Sequence, residues 1–448
     1  MMKQSSLLLS AGAAALATLA TACLPTDTGE ETLVQIAIPL VNDQCGVTRA
    51  TVEITASDIN ERTANLDVSG DSIAGVIADV PAGPERLVTV TAYGGPYYYN
   101  VVYQGSAIVD VTDGATVQAS LVLYRNWDNC PATSGSGDID VLGEIDNGTA
   151  GGAAVHGQFR FNDAKIAAGV IYFLDAGGDR VRRLDLATQA YLAPLRGTLS
   201  PISGFAVASD GATAYVAYEG GRIDAFDTAT GTPRLFGVAP STVSALTVAG
   251  SYLFAIEGGN SSYYTSHALY SLATGDRVTS VTGRNSGRDL VYSPVNQRVY
   301  FVRGNYDSGI ISVPVGATGT IGSESTTPYN GGNSIPGPMR LSANEQYLLV
   351  GNGSQYRASD LTYVNSIGLP VIDAAFAGGD TYVISRQGGQ YNEGGQTLIR
   401  SLDAGRTITG NRIIPGAPLR VFPYATQLVV VSQLGQGHIA ARYIDLPL

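Results

Sequence analysis

Short runs in which apolar and polar residues alternate fill the first part of the chain. Between residues 32 and 125 six such runs are separated by turn residues such as Asp113-Gly114. Short strands with this alternation and spacing predict a small antiparallel β-sandwich. The runs are TLVQIAIPLV, RATVEITAS, SIAGVIADV, RLVTVTAYG, NVVYQGSAIVDV and ATVQASLVLY.

From residue 154 to residue 448 the pattern becomes a repeat. The unit from Ile202 to Val238 contains four apolar runs, with an Asp-Gly turn after the first run and a Gly-Gly turn after the second. We count seven such units, each about 32 to 44 residues long. Four-stranded units at this period are typical of β-propeller blades. The sequence therefore predicts an all-β protein, a sandwich at residues 32–125 followed by a seven-bladed β-propeller at residues 154–448.

The ends of the repeat predict how the ring closes. The last unit ends at RYIDLPL, which matches a third strand, and no fourth strand follows it. The run from Ala154 to Phe161 precedes the first complete unit. Because an unsealed blade would leave an exposed strand edge, we predict that this run is the outer strand of the last blade.

The first 31 residues predict export. Lys3 is followed by an apolar or small-residue run from Leu7 to Ala22, which is shorter than the roughly 20 residues that a membrane-spanning helix needs. Residues 1–22 therefore read as a signal peptide. The alternatives are ordinary cleavage near Ala22, which would release a soluble protein, and lipid attachment at Cys23.

The ending Ala20-Thr21-Ala22-Cys23 resembles the bacterial lipoprotein signal. That resemblance implies that Cys23 is lipidated and becomes the first residue, with residues 23–31 as a tether. Because Leu24 rather than aspartate follows the cysteine, the resemblance implies a lipid anchor in the cell outer membrane, on its periplasmic side or at the cell surface.

Charge and composition bear on two candidate binding partners, nucleic acid and Ca²⁺. The net charge is −12, which argues against nucleic acid as a partner. Residues 126–153 are rich in Gly, Ser and Asp and read as an acidic linker. Its carboxylates could hold Ca²⁺, but their spacing does not fit the EF-hand loop, so a solvated linker is the better interpretation. These carboxylates belong to Asp138, Asp140, Glu144 and Asp146.

Three cysteines are present, and lipid on Cys23 would leave Cys45 and Cys130 as a pair. An exported compartment is oxidising, so we expect a disulfide between them. Closing such a long loop would stabilise the fold by about 4 kcal/mol in the chain-entropy model. The alternative is two separate buried thiols.

Two stretches carry family resemblances. DVPAGPERLVTVTAYGG, with VVYQGSAIVDVTDGATVQASLVL after it, resembles the immunoglobulin-like or carboxypeptidase-regulatory-like modules of bacterial surface lipoproteins. This resemblance implies a spacer or binding role. YVAYEGGRIDAFDTATG resembles the YVTN-type and WD40-like propeller repeats of exported bacterial proteins. The second resemblance covers the whole repeat domain.

Candidate chemistry is sparse. Quinoprotein propellers repeat a tryptophan motif, whereas Trp127 is the only tryptophan here. The histidines His156, His267 and His438 show no metal-ligand spacing, and no Gly-Lys-Ser/Thr follows the glycine-rich runs. We therefore predict no cofactor, no metal and no catalytic residue.

The favoured function is a non-enzymatic scaffold that binds an envelope protein or polysaccharide. The alternatives are a hydrolase or lactonase that uses metal-bound water in the central channel, and an assembly factor.

The loops between the second and third strands predict where binding occurs. In units 3 to 6 they read EGGNSSYYTSH, RGNYDSG, NGSQYR and RQGGQYNEGGQ, each with tyrosine among Gly, Asn, Gln or Ser. Tyr offers rigid contact area, and the small polar residues offer adaptable hydrogen bonds. The alternative is that long polar loops simply tolerate tyrosine. We predict a ridge, with arginines as charged anchors, formed by Tyr263, Tyr264, Tyr306, Tyr356, Tyr391, Arg303, Arg357 and Arg386.

Overall fold

The computed structural model describes residues 32–40, 43, 45–94, 100–126, 128–130, 144–145, 154–175, 179–199, 201–258, 265–303, 309–327, 335–387, 395–435 and 437–448. The regular elements in these ranges are all β-strands. None of the described segments is a helix with the length and apolarity to cross a membrane. The strands form one nine-stranded sheet and then seven four-stranded sheets, which confirms the predicted all-β fold with a seven-bladed propeller.

The first nine strands form a single continuous sheet in the order β7-β1-β4-β3-β2-β5-β6-β8-β9. The third strand joins the two halves of this sheet, because residues 62–66 pair with the second strand and residues 67–69 pair with the fourth. The strands are β1 Leu33–Pro39, β2 Val47–Thr55, β3 Arg62–Ser69, β4 Ser72–Ile77, β5 Gly83–Gly94, β6 Val101–Val111, β7 Thr116–Gln118, β8 Leu123–Arg125 and β9 Glu144–Ile145.

One apolar core lies between the two halves of this sheet. Val34, Ile36 and Ile38 alternate with exposed residues along β1, as expected for a strand with one buried face. Residues of β1, β2, β4, β5 and β6 belong to the same core, so the sheet folds over on itself. The sequence prediction missed β3, because Leu66 is its one fully buried residue.

A disulfide joins Cys45, before β2, to Cys130, after β8, with an S–S distance of 2.02 Å. Both residues lie at the edge of the same core. The Arg125 Nε atom donates a hydrogen bond of 2.6 Å to the carbonyl oxygen of Cys130. The end of the N-terminal domain is therefore tied to its core by a covalent bond and a buried hydrogen bond.

The remaining strands form the blades. Blade 1 is β11 Phe161–Ala167, β12 Val170–Asp175, β13 Arg180–Asp185 and β14 Ala190–Arg196; blade 2 is β15 Ile202–Val207, β16 Thr213–Tyr218, β17 Arg222–Asp227 and β18 Pro233–Val238; blade 3 is β19 Val243–Ala249, β20 Tyr252–Glu257, β21 Thr265–Ser271 and β22 Arg277–Arg284; blade 4 is β23 Gly287–Ser293, β24 Arg298–Arg303, β25 Ile310–Pro314 and β26 Ser325–Thr326. Blade 5 is β27 Met339–Leu341, β28 Tyr347–Val350, β29 Ser354–Arg357 and β30 Tyr363–Ser366; blade 6 is β31 Asp373–Ala377, β32 Asp380–Gln387, β33 Gln396–Leu402 and β34 Ile408–Pro415; blade 7 is β35 Ala417–Tyr424, β36 Gln427–Gly435, β37 His438–Asp445 and β10 Ala154–Gln158.

Burial changes across each blade in a way that explains the sequence pattern. In blade 2 the second strand, TAYVAY, is buried at five consecutive positions because other blades pack on both of its faces. The fourth strand, PRLFGV, is largely exposed because it forms the outer edge. Middle strands therefore read as continuous apolar runs, and outer strands read as mixed ones.

The turns of the repeat have the conformations that the sequence predicts. Gly211, in the Asp-Gly turn of blade 2, has φ +70°, and Gly221 in the Gly-Gly turn has φ +88°. A Cβ atom on Gly221 would lie 2.3 Å from the carbonyl oxygen of Ala239, so no side chain fits there. The geometry of these hairpins sets the register of the blade.

The N-terminal strand of the propeller closes the ring, which confirms the closure prediction. β10 pairs antiparallel with β37, from Ala154 opposite Arg442 to Gln158 opposite His438. The predicted run extended to Phe161, but that residue begins the first strand of blade 1. Each pair of neighbouring blades shares an apolar core, including the pair formed by blades 7 and 1.

The N-terminal domain packs against blades 6 and 7. The guanidinium carbon of Arg442 lies 5.5 Å from the centroid of the Tyr124 ring, and Asp128 abuts the backbone of Gly435. A small cavity of about 20 Å³ lies between the domains and is lined by Tyr124, Arg125, Pro415 and Gly416 among others.

Candidate binding site

The first strands of the blades surround the propeller axis, and each begins where the chain crosses from one blade to the next. We call that side the crossover face. Because the strands are antiparallel, the turns between second and third strands lie on the same face, and the other turns lie on the opposite face. The entrance to the channel and the strand ends that lead into the predicted ridge loops therefore share one side of the molecule.

Charged side chains gather at this entrance, a cluster that the sequence reasoning did not identify. We call it the axial charge ring. Its seven members lie on the first strands of five blades, mostly in the first half of each strand. They are Asp163 and Lys165 of blade 1, Arg288 and Asp289 of blade 4, Arg340 of blade 5, Asp373 of blade 6 and Arg420 of blade 7.

The Arg340–Asp373 pair links blades 5 and 6. Arg340 Nε lies 2.7 Å from Asp373 Oδ1, and the Asp373 side chain is fully buried. The backbone N–H groups of Ala374 and Val421 also donate to this carboxylate, each at 2.9 Å. Burial alone would lower the pKa of Arg340, but the carboxylates of Asp373, Asp289 and Asp163 outweigh it and raise that pKa. Every oxygen of Asp373 is thus engaged.

The Arg420–Asp163 pair links blades 7 and 1. Arg420 Nη2 donates to Asp163 Oδ1 at 2.9 Å, and the guanidinium carbon lies 5.4 Å from the centroid of the Phe161 ring. Burial would raise the pKa of Asp163, but Lys165 and Arg420 hold it below its ordinary value. The carboxylate is therefore ionised at neutral pH and held by two cations.

The ring is uneven around the axis. Blades 2 and 3 contribute small residues at the corresponding positions, among them Ser203 and Ser244. A Cβ atom on Gly204 would lie 3.6 Å from the Ala245 Cα atom, so these two strands approach closely. The channel entrance thus has a charged wall of five blades and a hydroxyl-bearing wall of two.

Each of the three axial carboxylates has an arginine within ion-pair distance. Asp163 and Asp373 are held by arginines, and Asp289 lies 3.8 Å from the Arg288 guanidinium. Across the described residues no group of three His, Cys, Asp or Glu side chains is arranged to hold a metal ion. Carboxylates that already accept hydrogen bonds from arginine are poorly placed to ligate a cation as well.

The histidines lie in two places away from this ring. His267 is buried between Phe254 and Phe301, with Nε2 3.0 Å from the carbonyl oxygen of Asn285. His156 and His438 meet edge to face on the paired strands β10 and β37, with ring centroids 5.7 Å apart. The closure prediction contained the signal for this second contact, because it placed the two histidine-bearing strands side by side.

The predicted ridge is only partly described. Tyr263, Tyr264, Tyr306 and Tyr391 lie outside the described residues, as does Cys23. Arg303 ends β24 and Arg386 is the next-to-last residue of β32, so both stand at the bases of the ridge loops on the crossover face.

Two members of the ridge prediction need correction. Tyr356 and Arg357 do not belong to a loop but to the short strand β29. Tyr356 is 6% exposed and packs in the core between blades 4 and 5. Arg357 lies at the end of β29 on the opposite face, where Nη1 is 3.2 Å from Asp360 Oδ2. The blade 5 loop is shorter than the sequence suggested, because β28 ends at Val350 and β29 already begins at Ser354.

Two solved structures that are similar to this chain share little sequence identity with it. No protein-family model and no curated protein matches the chain. The chain is similar to the β-propeller domain of Myceliophteria thermophila Cps50 (Swd1), at 13% identity over 65% of this chain and 98% of that one, with a TM-score of 0.47. It is also similar to U3-55K, at 12% identity over 66% and 99% of the two chains, with a TM-score of 0.48.

Proposed function

We propose that this protein is a lipid-anchored scaffold of the bacterial cell envelope that binds a protein or polysaccharide without catalysis. The observation that carries the proposal is the axial charge ring, in which arginines lie beside the carboxylates at the channel entrance. Fixed charge pairs beside hydroxyl groups suit recognition of a polar partner. The second strands that lead into the ridge loops of blades 3, 4 and 6 end on the same face.

The anchor is the part of the proposal that the N-terminal sequence supports. The lipoprotein-like signal ends at Cys23. The disulfide between Cys45 and Cys130 fits an oxidising compartment, where such bonds persist. The resemblance to lipoprotein signals, with Leu24 after Cys23, supports an outer-membrane location on either side.

Metabolic labelling tests the anchor. Labelled palmitate should enter the full-length protein, and Cys23→Ser should abolish labelling because the variant lacks the thiol that accepts the acyl group. Cys45→Ser is the control, and its labelling should match the wild type. Equal labelling of Cys23→Ser and the wild type would contradict lipid attachment at this residue.

Alanine substitution tests the binding face. Replacing Tyr263, Tyr264, Tyr306 and Tyr391 together should greatly weaken binding to envelope protein and glycan fractions, since aromatic residues carry much of the energy of an interface. The control is Tyr363→Ala, which removes a tyrosine that is 59% exposed at the start of β30 on the opposite face. Unchanged binding with all four replaced would contradict the ridge, and a large drop in melting temperature would mean that the rings are structural.

The three axial aspartates favour one alternative, a hydrolase or lactonase that holds a metal ion in the channel. Their pairing with arginine argues against it, and metal analysis decides between the two. The scaffold proposal expects no stoichiometric divalent metal in the purified protein. A stoichiometric metal that Asp163→Asn removes would support the hydrolase.

A further inference from the structure

A second surface lies on the face opposite the charge ring, between blades 5 and 6. It is an open groove of about 510 Å³. Its walls come from the first turn of blade 5, the first turn of blade 6 and the last turn of blade 6. We call it the interblade groove. A volume of this size is in the range of small-ligand sites.

Aromatic rings form part of the groove wall. Tyr347, the first residue of β28, is 37% exposed, and Phe376 on β31 is half-buried. Buried Leu349 also contributes to the lining. Flat, partly exposed rings of this kind pack well against the apolar faces of a ligand.

Acceptor groups surround these rings. Asp380 forms no salt bridge or side-chain hydrogen bond with the described residues, and Asp403 uses only Oδ1, which accepts from the backbone N–H of Thr407 at 2.8 Å. The one arginine at the groove, Arg406, is already engaged. With the amide of Asn365 oriented to satisfy its neighbours, the Asn365 oxygen accepts from Arg406 Nη1 at 3.0 Å.

The balance of charge selects the ligand class. Two carboxylates with free acceptor capacity would repel an anion and would accept hydrogen bonds from hydroxyl groups. A ligand with apolar faces and hydroxyl edges but no charge matches both the rings and the carboxylates. We propose that the interblade groove binds a neutral pyranose oligosaccharide.

This inference rests on the proposed function in one respect, because it names the class of glycan that the scaffold holds. It differs in place, since the groove lies on the face opposite the ridge and the axial charge ring. The two sites can therefore be separated by mutation.

Titration calorimetry on the mature full chain tests the groove. The probes are cellohexaose, maltohexaose and chitohexaose, which are all neutral. At least one should bind with a dissociation constant below about 1 mM, corresponding to about 4 kcal/mol. Tyr347→Ala should weaken that binding about tenfold, and Asp380→Asn should weaken it severalfold without changing the melting temperature. Tyr363→Ala is the matched control, because it removes another exposed tyrosine of blade 5 that does not line the groove, and its affinity should equal the wild type.

Three results would overturn the inference. One is that no probe binds up to about 10 mM, which corresponds to less than about 3 kcal/mol. Another is that Tyr347→Ala and Asp380→Asn both bind as the wild type does. The third is that oligosaccharide binding disappears in the variant that lacks Tyr263, Tyr264, Tyr306 and Tyr391, in which case the groove inference fails while the scaffold proposal stands. If the wild-type protein binds no envelope fraction at all, the proposed function has failed instead.

Discussion

At the scale of single residues, the axial charge ring combines two kinds of ion pair. Arg340 meets a carboxylate that is fully buried, whereas Arg288 is 66% exposed and stands 3.8 Å from Asp289. Removing one partner of a buried pair leaves an uncompensated charge, while exposed pairs contribute little. The same ring should therefore contain one residue that is essential for stability and one that is not.

Arg340→Gln should lower the free energy of unfolding by about 2 to 4 kcal/mol, because it leaves the Asp373 carboxylate buried without its positively charged partner. Arg288→Gln is the matched control and should cost less than about 0.5 kcal/mol. Urea unfolding followed by circular dichroism measures both. Equal effects of the two substitutions would contradict the assignment of Asp373 as a buried charge held by Arg340.

At the scale of elements, β10 decides whether the ring is closed. It is the outer strand of blade 7 although it precedes blade 1 in the chain, so its pairing with β37 joins the two ends of the propeller. It also brings His156 beside His438, close to the buried side chain of Arg442. Ring closure and proton binding are therefore linked in one strand pair.

Deleting residues 154–158 should destabilise the whole propeller, because it exposes the edge of β37 and removes residues that cover the core between blades 7 and 1. Deleting five residues at positions 146–150 is the control for chain shortening. Hydrogen exchange measured blade by blade distinguishes the outcomes. Loss of protection confined to blade 1 would contradict the closing role.

Stability should also fall in mild acid. Burial, then His438 and Arg442, lowers the pKa of His156 from its ordinary 6.5 to about 4, and burial lowers that of His438 although Asp128 opposes the shift. Between about pH 6.5 and pH 4 the unfolded chain binds protons that the folded protein excludes, so stability falls as pH falls, by up to about 3 kcal/mol for His156. His156→Gln should make this dependence less steep in thermal melts recorded across the range. An unchanged slope would mean that His156 does not titrate in this way.

The sequence predicted the elements better than the site, for physical reasons. Turn glycines can be recognised from neighbouring residues, so the hairpins of blade 2 could be predicted. The last unit lacks a fourth strand in the sequence, so the closing role of β10 could be predicted as well. The axial pairs are not local, since Arg420 and Asp163 are 257 positions apart. Blade 5 misled the loop prediction because strands of three or four residues leave little periodicity to detect.

At the scale of the whole molecule, the propeller is a ring of equivalent packing units. Seven apolar cores, one between each pair of neighbouring blades, hold it together without a central core. Charged and hydroxyl side chains therefore line the axis at the channel entrance, and the turns between strands form the two faces. Such a molecule can present two separate binding surfaces while the N-terminal domain rests on blades 6 and 7.

Titration calorimetry with purified envelope polysaccharide and protein fractions tests the central claim, binding without turnover, most directly. The account predicts heat that saturates as sites fill and returns to baseline after each injection. The variant in which Tyr263, Tyr264, Tyr306 and Tyr391 are replaced by alanine should release less heat on binding. Sustained heat flow after each injection, with accumulation of a cleaved product, would contradict the claim and identify the protein as an enzyme.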